Sequence, residues 1–292
     1  MIRTIIRRTR ALTLPLLGLL AAIPGCAPTD LLNRTVDIGG LTERRGIAYG
    51  PLPRQAMDVW RPAEAAANLP VVVFFYGGSW QSGRRADYRF VAADLARRGH
   101  VVVVPDYRLY PEIQFPAFLQ DAAAAVAAAR RMAPGWGGDP ARVVLMGHSA
   151  GAHIAAMLAL DPRWLAAEGD SRDRLAGLVG VAGPYDFLPI TGRAIRAVFA
   201  SATDLRDTQP ITFADRRAPP TLLLHGSDDT TVLPRNSQVL ADGIGRAGGQ
   251  ATLRLYDGVG HIGIVLGFAA LFRDRAPVLD DTVAFINGLP PR

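Results

Sequence analysis

Apolar positions fall into two kinds of run along this chain. "VVVFFY" (71–76), "HVVVVPDY" (100–107), "RVVLMG" (142–147), "LAGLVGVAG" (175–183) and "TLLLHG" (221–226) are short and nearly unbroken. A strand with one wet face would carry a polar residue at every second position, so these read as strands buried on both faces. "QAMDVWRP" (55–62) and "ATLRLYD" (251–257) have weaker strand character. Between the runs lie helical stretches: 86–98 stopped by Gly99, the alanine-rich "FPAFLQDAAAAVAAARRM" (115–132), "HSAGAHIAAMLAL" (148–160), 234–247 and 276–288. Strands that alternate with helices through short turns predict an α/β architecture, a mostly parallel sheet covered on both faces. The segment 184–215 is too long for a plain connection and reads as a lid- or cap-like insertion.

The first fifty residues break this pattern. "MIRTIIRRTR" carries four arginines and no acid, and "ALTLPLLGLLAAI" follows as an apolar run too short to span a bilayer comfortably. Residues 1–25 therefore read as an export signal. "IPGC" closes it, with Cys26 the only cysteine of the chain. This end resembles a bacterial lipoprotein signal, which implies lipidation of Cys26, a membrane anchor and an exported protein facing the periplasm or cell exterior. Residues 26–50 read as tether and irregular lead-in, and 51–292 as the catalytic domain. A single cysteine allows no internal disulfide, so the core must carry the stability.

Charge adds little once the leader is set aside. All 32 basic residues are arginines, which excludes lysine Schiff-base chemistry. Arg3, Arg7, Arg8 and Arg10 lie in the leader, and without them the balance drops from +6 to +2. No basic, aromatic-interleaved patch points to nucleic acid.

"GHSAG" (147–151) ends a buried strand and opens a helix, the context in which a G-x-S-x-G turn lifts a serine above a sheet. Ser149 is thus the candidate nucleophile, and its hydroxyl needs a base. Of the five histidines, His100 leads a strand, His148 belongs to the turn itself, His153 lies on the next helix and His225 ends a strand before Gly226. His261, in the glycine-rich loop "YDGVGHIG" after the last strand, remains. The acid that orients it falls in "HGSDDTTV", at Asp228 or Asp229. An oxyanion would need preorganised donors, which the bare backbone of "GGSW" (77–80) and the amide of Ala150 could supply.

"YGGSW", "DYRLYPE" (106–112), "GGDPARV" (137–143), "GHSAG", "HGSDDTTV" and "GVGH" together resemble the α/β-hydrolase carboxylesterases related to hormone-sensitive lipase, the feruloyl esterase-like enzymes and kynurenine formamidase. The likeness covers roughly residues 50–290. It implies an α/β-hydrolase fold and a serine hydrolase that forms an acyl-enzyme and needs no metal or cofactor. The family pattern H-G-x-x-D-x-x-V selects Asp229 over Asp228, giving the chain order Ser149, Asp229, His261. It also assigns the oxyanion donors to the amides of Gly78 and Ser79, beside Ala150, with Gly77 shaping the turn. Asp106, Tyr107 and Arg108 match a segment that buttresses this loop. The loop usually reads H-G-G-x-[WF], and here Tyr76 replaces the histidine, in a supporting role.

Three functions follow as expectations. The first is an exported esterase for small, uncharged acyl esters, with Trp80, Phe187 and Leu188 as candidate pocket residues. The second keeps the triad but cleaves an aryl formamide. The third is a lipid-anchored binding protein on a retired hydrolase fold.

Overall fold

The computed structural model describes residue 33 and residues 36–64 and 67–292. The predicted leader and Cys26 lie outside the described residues; among the described residues, no helix is long and apolar enough to cross a membrane.

Eight strands form one sheet: β1 Leu41–Ala48, β2 Ala56–Pro62, β3 Leu69–Phe75, β4 Val101–Pro105, β5 Gly138–His148, β6 Leu175–Val181, β7 Thr221–Gly226 and β8 Ala251–Tyr256. Their order is β1-β2-β4-β3-β5-β6-β7-β8. The pairs β1·β2 and β2·β4 are antiparallel, and every other pair is parallel. Among the described residues, five helices of nine residues or more cover the sheet with three shorter ones: α1 Arg89–Arg97, α2 Ala117–Met132, α3 Ala150–Leu160, α4 Pro162–Ala167, α5 Arg193–Val198, α6 Arg235–Arg246, α7 His261–Leu266 and α8 Val278–Asn287. This is the α/β-hydrolase fold.

The apolar runs behave as their composition demands. Val71, Val72, Val73, Phe74 and Phe75 are wholly buried, as are the central residues of β4, β5 and β6. Alanine lets helices lie close against that sheet: α3 has every residue buried, and most of α2 is buried too. Close-packed interiors of this kind leave little room for adjustment, so loops leaving the sheet are held from below.

Two elements differ from the sequence reading. The lead-in is not irregular throughout, because Leu41–Ala48 is the edge strand β1, and the folded unit starts before residue 51. Its sequence, "LTERRGIA", hides the strand: every one of its residues is exposed or half-buried, and a register shift between Arg44 and Ile47 breaks the alternation. The glycine-rich loop after β8 gives way to a helical turn, α7, with His261 as its first residue. The 184–215 insertion holds α5 and two 3-10 turns, Leu205–Thr208 and Pro210–Phe213.

The topology creates the site. From β3 the chain passes outward to β4, then returns across β3 to β5, so β3 and β5 are neighbours whose connections run to opposite sides. In open α/β sheets, ligands bind in the crevice at the carboxyl ends of such a pair. The "GGSW" loop leaves β3 and the "GHSAG" turn leaves β5, with Phe75 and Gly147 in register. Likewise β7 and β8 pair Gly226 with Tyr256, which brings the loops carrying Asp229 and His261 side by side.

Candidate active site

The turn after β5 is tight enough to dictate its glycines. A Cβ on Gly147 would stand 2.2 Å from the Gly151 carbonyl oxygen, and one on Gly151 would stand 2.0 Å from that of Phe75. Any side chain there would push the turn off the sheet. Between them Ser149 has φ 56° and ψ −123°, a left-handed conformation that costs a non-glycine residue about 1–3 kcal/mol. Its amide donates to the Val181 carbonyl, which pins the turn to β6.

Ser149 Oγ lies 2.9 Å from His261 Nε2, and His261 Nδ1 lies 2.7 Å from Asp229 Oδ2. Asp229 is 2% exposed, so its charge is met by protein alone. Its Oδ1 accepts from the Thr231 and Val232 amides, both at 2.9 Å. His225 Nε2 approaches Oδ2 at 3.2 Å while donating to the Val232 carbonyl at 2.8 Å, and its Nδ1 accepts from the Ser237 hydroxyl. Burial lowers the pKa of His225, which keeps it neutral in that role. Asp228 is exposed and accepts from the Ser227 hydroxyl instead of reaching His261. The support from His225 was missed in the sequence, although this residue opens the very motif that carries Asp229.

The remaining histidines lie elsewhere. His100 is buried against the Leu95 carbonyl. His153 donates to the Thr208 carbonyl, and burial lowers its pKa to about 4. His148 packs beside His261 without touching Ser149 Oγ.

Opposite the serine, the loop after β3 folds back on itself. The Gln81 and Ser82 amides donate to the Gly78 carbonyl, and Gly78, Ser79 and Trp80 all have positive φ. The Gly77 amide is taken by the Tyr88 hydroxyl at 3.3 Å. The amides of Gly78, Ser79 and Ala150, by contrast, have no acceptor among the described residues. Ala150 opens α3, where such a donor is left over by helix geometry.

Tyr76 points away from this surface. It is fully buried, stacked on Tyr107 at 4.6 Å, and its hydroxyl accepts from Arg54 Nη2 at 2.7 Å. Arg54 also donates to the Gly83 and Tyr107 carbonyls, and the Tyr107 hydroxyl donates to the Tyr76 carbonyl. Asp106 holds Arg85, and Asp121 holds Arg108 through a double contact. Arg54 is thus a brace that the sequence did not single out. Because it keeps two carbonyl partners without the phenol, Tyr76→Phe is expected to lower kcat only a few-fold. Measured kcat falling as far as in a Ser149 variant would mean that the phenol touches the reaction.

Two cavities flank Ser149. One, about 300 Å³, is lined by Trp80, Phe187, Pro189, Ile190 and Ile195 beside Ala150. Trp80 is nearly buried there, edge-on to Phe199 and His153. Leu188 is not among its lining residues and packs against the core instead. The other, about 470 Å³, has Ser82, Asp87, Tyr88 and His261 around the "GGS" backbone.

Comparison with known proteins supplies a family and a fold. The BD-FAE family model matches residues 57–244, which is more than half of the chain. The chain belongs to the BD-FAE family. Among curated proteins, it is 30% identical over 264 residues to a probable isoprenylcysteine alpha-carbonyl methylesterase of Arabidopsis thaliana, covering 81% of this chain and 56% of that protein. It is 34% identical over 208 residues to esterase LipC of Mycobacterium tuberculosis, covering 65% of this chain and 52% of that protein. The chain thus spans little more than half the length of these relatives. Among solved structures, a truncated carbohydrate esterase from gut microbiota aligns with TM-score 0.75 at 21% identity, over 86% of this chain and 97% of the other. Esterase 2 of Thermogutta terrifontis aligns with TM-score 0.71 at 23% identity, over 88% and 98%. At these identities the structural likeness of this BD-FAE member is one of fold.

Proposed function

We propose that the chain is a serine carboxylesterase that cleaves small, uncharged acyl esters through an acyl-enzyme. The observation that carries this reading is the continuous hydrogen-bonded line from Ser149 through His261 to the buried Asp229. His261 takes the serine proton as Ser149 attacks the ester carbonyl, and Asp229 holds the imidazole in the tautomer whose Nε2 is free to accept. The oxyanion meets the unpaired amides of Gly78, Ser79 and Ala150, each worth on the order of 3 kcal/mol in reactions of this type. His261 then protonates the departing alcohol, and water repeats the sequence on the acyl-enzyme.

The smaller cavity, walled by Trp80, Phe187, Ile190 and Ile195, is suited to the acyl group, and the larger one, beside His261, to the alcohol that His261 protonates. A volume near 300 Å³ lies at the lower end for ligand sites, which favours short acyl chains. Acetyl to butyryl nitrophenyl esters are therefore expected to be turned over best by the purified chain, and octanoyl esters poorly. Rates that climb with chain length would put the acyl group elsewhere. N-formylkynurenine, assayed beside these esters, tests the formamidase alternative: faster cleavage than the acetyl ester would displace the esterase reading.

The "IPGC" leader supports a lipid anchor at Cys26 on an exported enzyme. Each buried methylene of a lipid contributes roughly 0.8 kcal/mol to membrane binding. Cys26→Ser is thus expected to move the enzyme from the membrane to the soluble fraction. A variant that stays with the membrane would rule the anchor out.

A further inference from the structure

His148 and Tyr88 form a hydrogen-bonded line that the proposed mechanism does not use. His148 is the last residue of β5 and is 2% exposed. Its Nε2 lies 3.1 Å from the His261 carbonyl oxygen, and its Nδ1 lies 3.4 Å from the Tyr88 hydroxyl. Tyr88 in turn takes the Gly77 amide at 3.3 Å.

The direction of each bond follows from the groups themselves. A carbonyl only accepts, so His148 carries its hydrogen on Nε2 and leaves Nδ1 bare. Tyr88 must then donate to Nδ1, and its oxygen is left to accept from the Gly77 amide. The line runs one way: Gly77 N–H to Tyr88 O–H to His148 N–H to the His261 carbonyl. Bonds aligned head to tail polarise and strengthen one another in a protein interior. Burial, aided by the neighbouring His261, lowers the pKa of His148 to about 3, and burial raises that of Tyr88 to about 12. Both groups thus keep these roles across the range in which an esterase is assayed.

The geometry leaves no slack around this line. A Cβ on Gly77 would come within 3.2 Å of His148 Nδ1 and 3.0 Å of Ser149 Cβ. The His148 and His261 rings pack with centroids 5.0 Å apart. Tyr88 is itself held by Phe74, Tyr76 and Phe90. One end of the line is thus the oxyanion loop and the other is the backbone of the base, while its middle residue adjoins the nucleophile in sequence.

We infer that His148 and Tyr88 are positioning residues that lock the oxyanion loop and the His261 helix into one register around Ser149. The inference rests on the esterase reading above. Small misplacements of reacting groups are costly, with about 1 Å worth up to about a hundredfold in rate.

The test uses the full chain, unsubstituted and as Tyr88→Phe, His148→Leu, His148→Gln and the Tyr88→Phe/His148→Leu double variant. Competent sites are counted by fluorophosphonate labelling, so that kcat on nitrophenyl acetate is expressed per reactive serine. Tyr88→Phe and His148→Leu are each expected to lower kcat by about 10- to 100-fold with little change in KM. The double variant should fall no further than the worse single one, because either change breaks the same line. His148→Gln, whose amide can donate to the His261 carbonyl and accept from Tyr88, should recover most of the loss. Unchanged kcat per labelled site in Tyr88→Phe, or losses that multiply in the double variant, would overturn the inference while leaving the esterase reading intact. An unsubstituted chain that hydrolyses no ester would overturn both.

Discussion

Ser149→Ala is expected to lower kcat on nitrophenyl acetate by about 10⁶-fold and to abolish fluorophosphonate labelling. Nucleophile and base act as a unit in serine-hydrolase sites, so in the proposed mechanism losing the hydroxyl alone removes nearly all that Ser149, His261 and Asp229 provide together, and only binding and the backbone donors remain. The fold should not suffer. Alanine at φ 56° is strained much as serine is, and Ser149 Oγ makes its hydrogen bond to His261 rather than to the core. Glycine separates chemistry from stability. Ser149→Gly should be equally inactive, yet it relieves a left-handed strain of about 1–3 kcal/mol and should unfold at a higher temperature. Turnover and thermal midpoint are both measured on the three proteins. Substantial ester turnover by Ser149→Ala would remove the serine from the mechanism.

Much of this site could be read from the sequence because its parts obey local rules. The G-x-S-x-G turn needs only a buried strand before it and a helix after it, and both were visible as "RVVLMG" and "AHIAAMLAL". The strand order is less local, yet alternating strands and helices already implied a parallel sheet, and a parallel sheet gathers its loops at one end. What stayed hidden depends on contacts across the sheet. Arg54 braces the loop after β3 from the turn before β2, and nothing near it in sequence marks it out among thirty-two arginines. In sequence His148 reads only as a component of its turn, because its partners Tyr88 and His261 come from two other connections. β1 was missed for a different reason. An edge strand with wet faces carries no apolar pattern, and its only signature is the pairing with β2. Leu188 shows the converse limit: an apolar residue beside Phe187 reads as pocket, but adjacent positions in a loop need not share a face.

Asp229→Asn is expected to lower kcat by about 10⁴-fold, while Asp228→Asn leaves it nearly unchanged. The size of the first effect follows from the hydrogen bonds around the carboxylate. Oδ1 accepts from two backbone amides, Thr231 and Val232, and those amides would claim the oxygen of an asparagine. Its NH₂ group must then face His261 Nδ1, where Oδ2 stands now. A donor at that position selects the tautomer with a bare Nδ1 and a hydrogen on Nε2. Such an imidazole can donate to Ser149 but cannot take its proton. The same NH₂ would also meet His225 Nε2–H, a donor already 3.2 Å from Oδ2. Leaving that buried pair unsatisfied adds a stability cost of about 1–3 kcal/mol, visible as a lowered thermal midpoint. Rotating the amide does not help, because its NH₂ would then oppose the Thr231 and Val232 amides. Asp228 has no such constraints, being exposed and bonded to Ser227. Steady-state kinetics of the two variants side by side decide the assignment: equal losses, or a larger one at Asp228, would mean that the carboxylate seen against His261 is not the one that orients it.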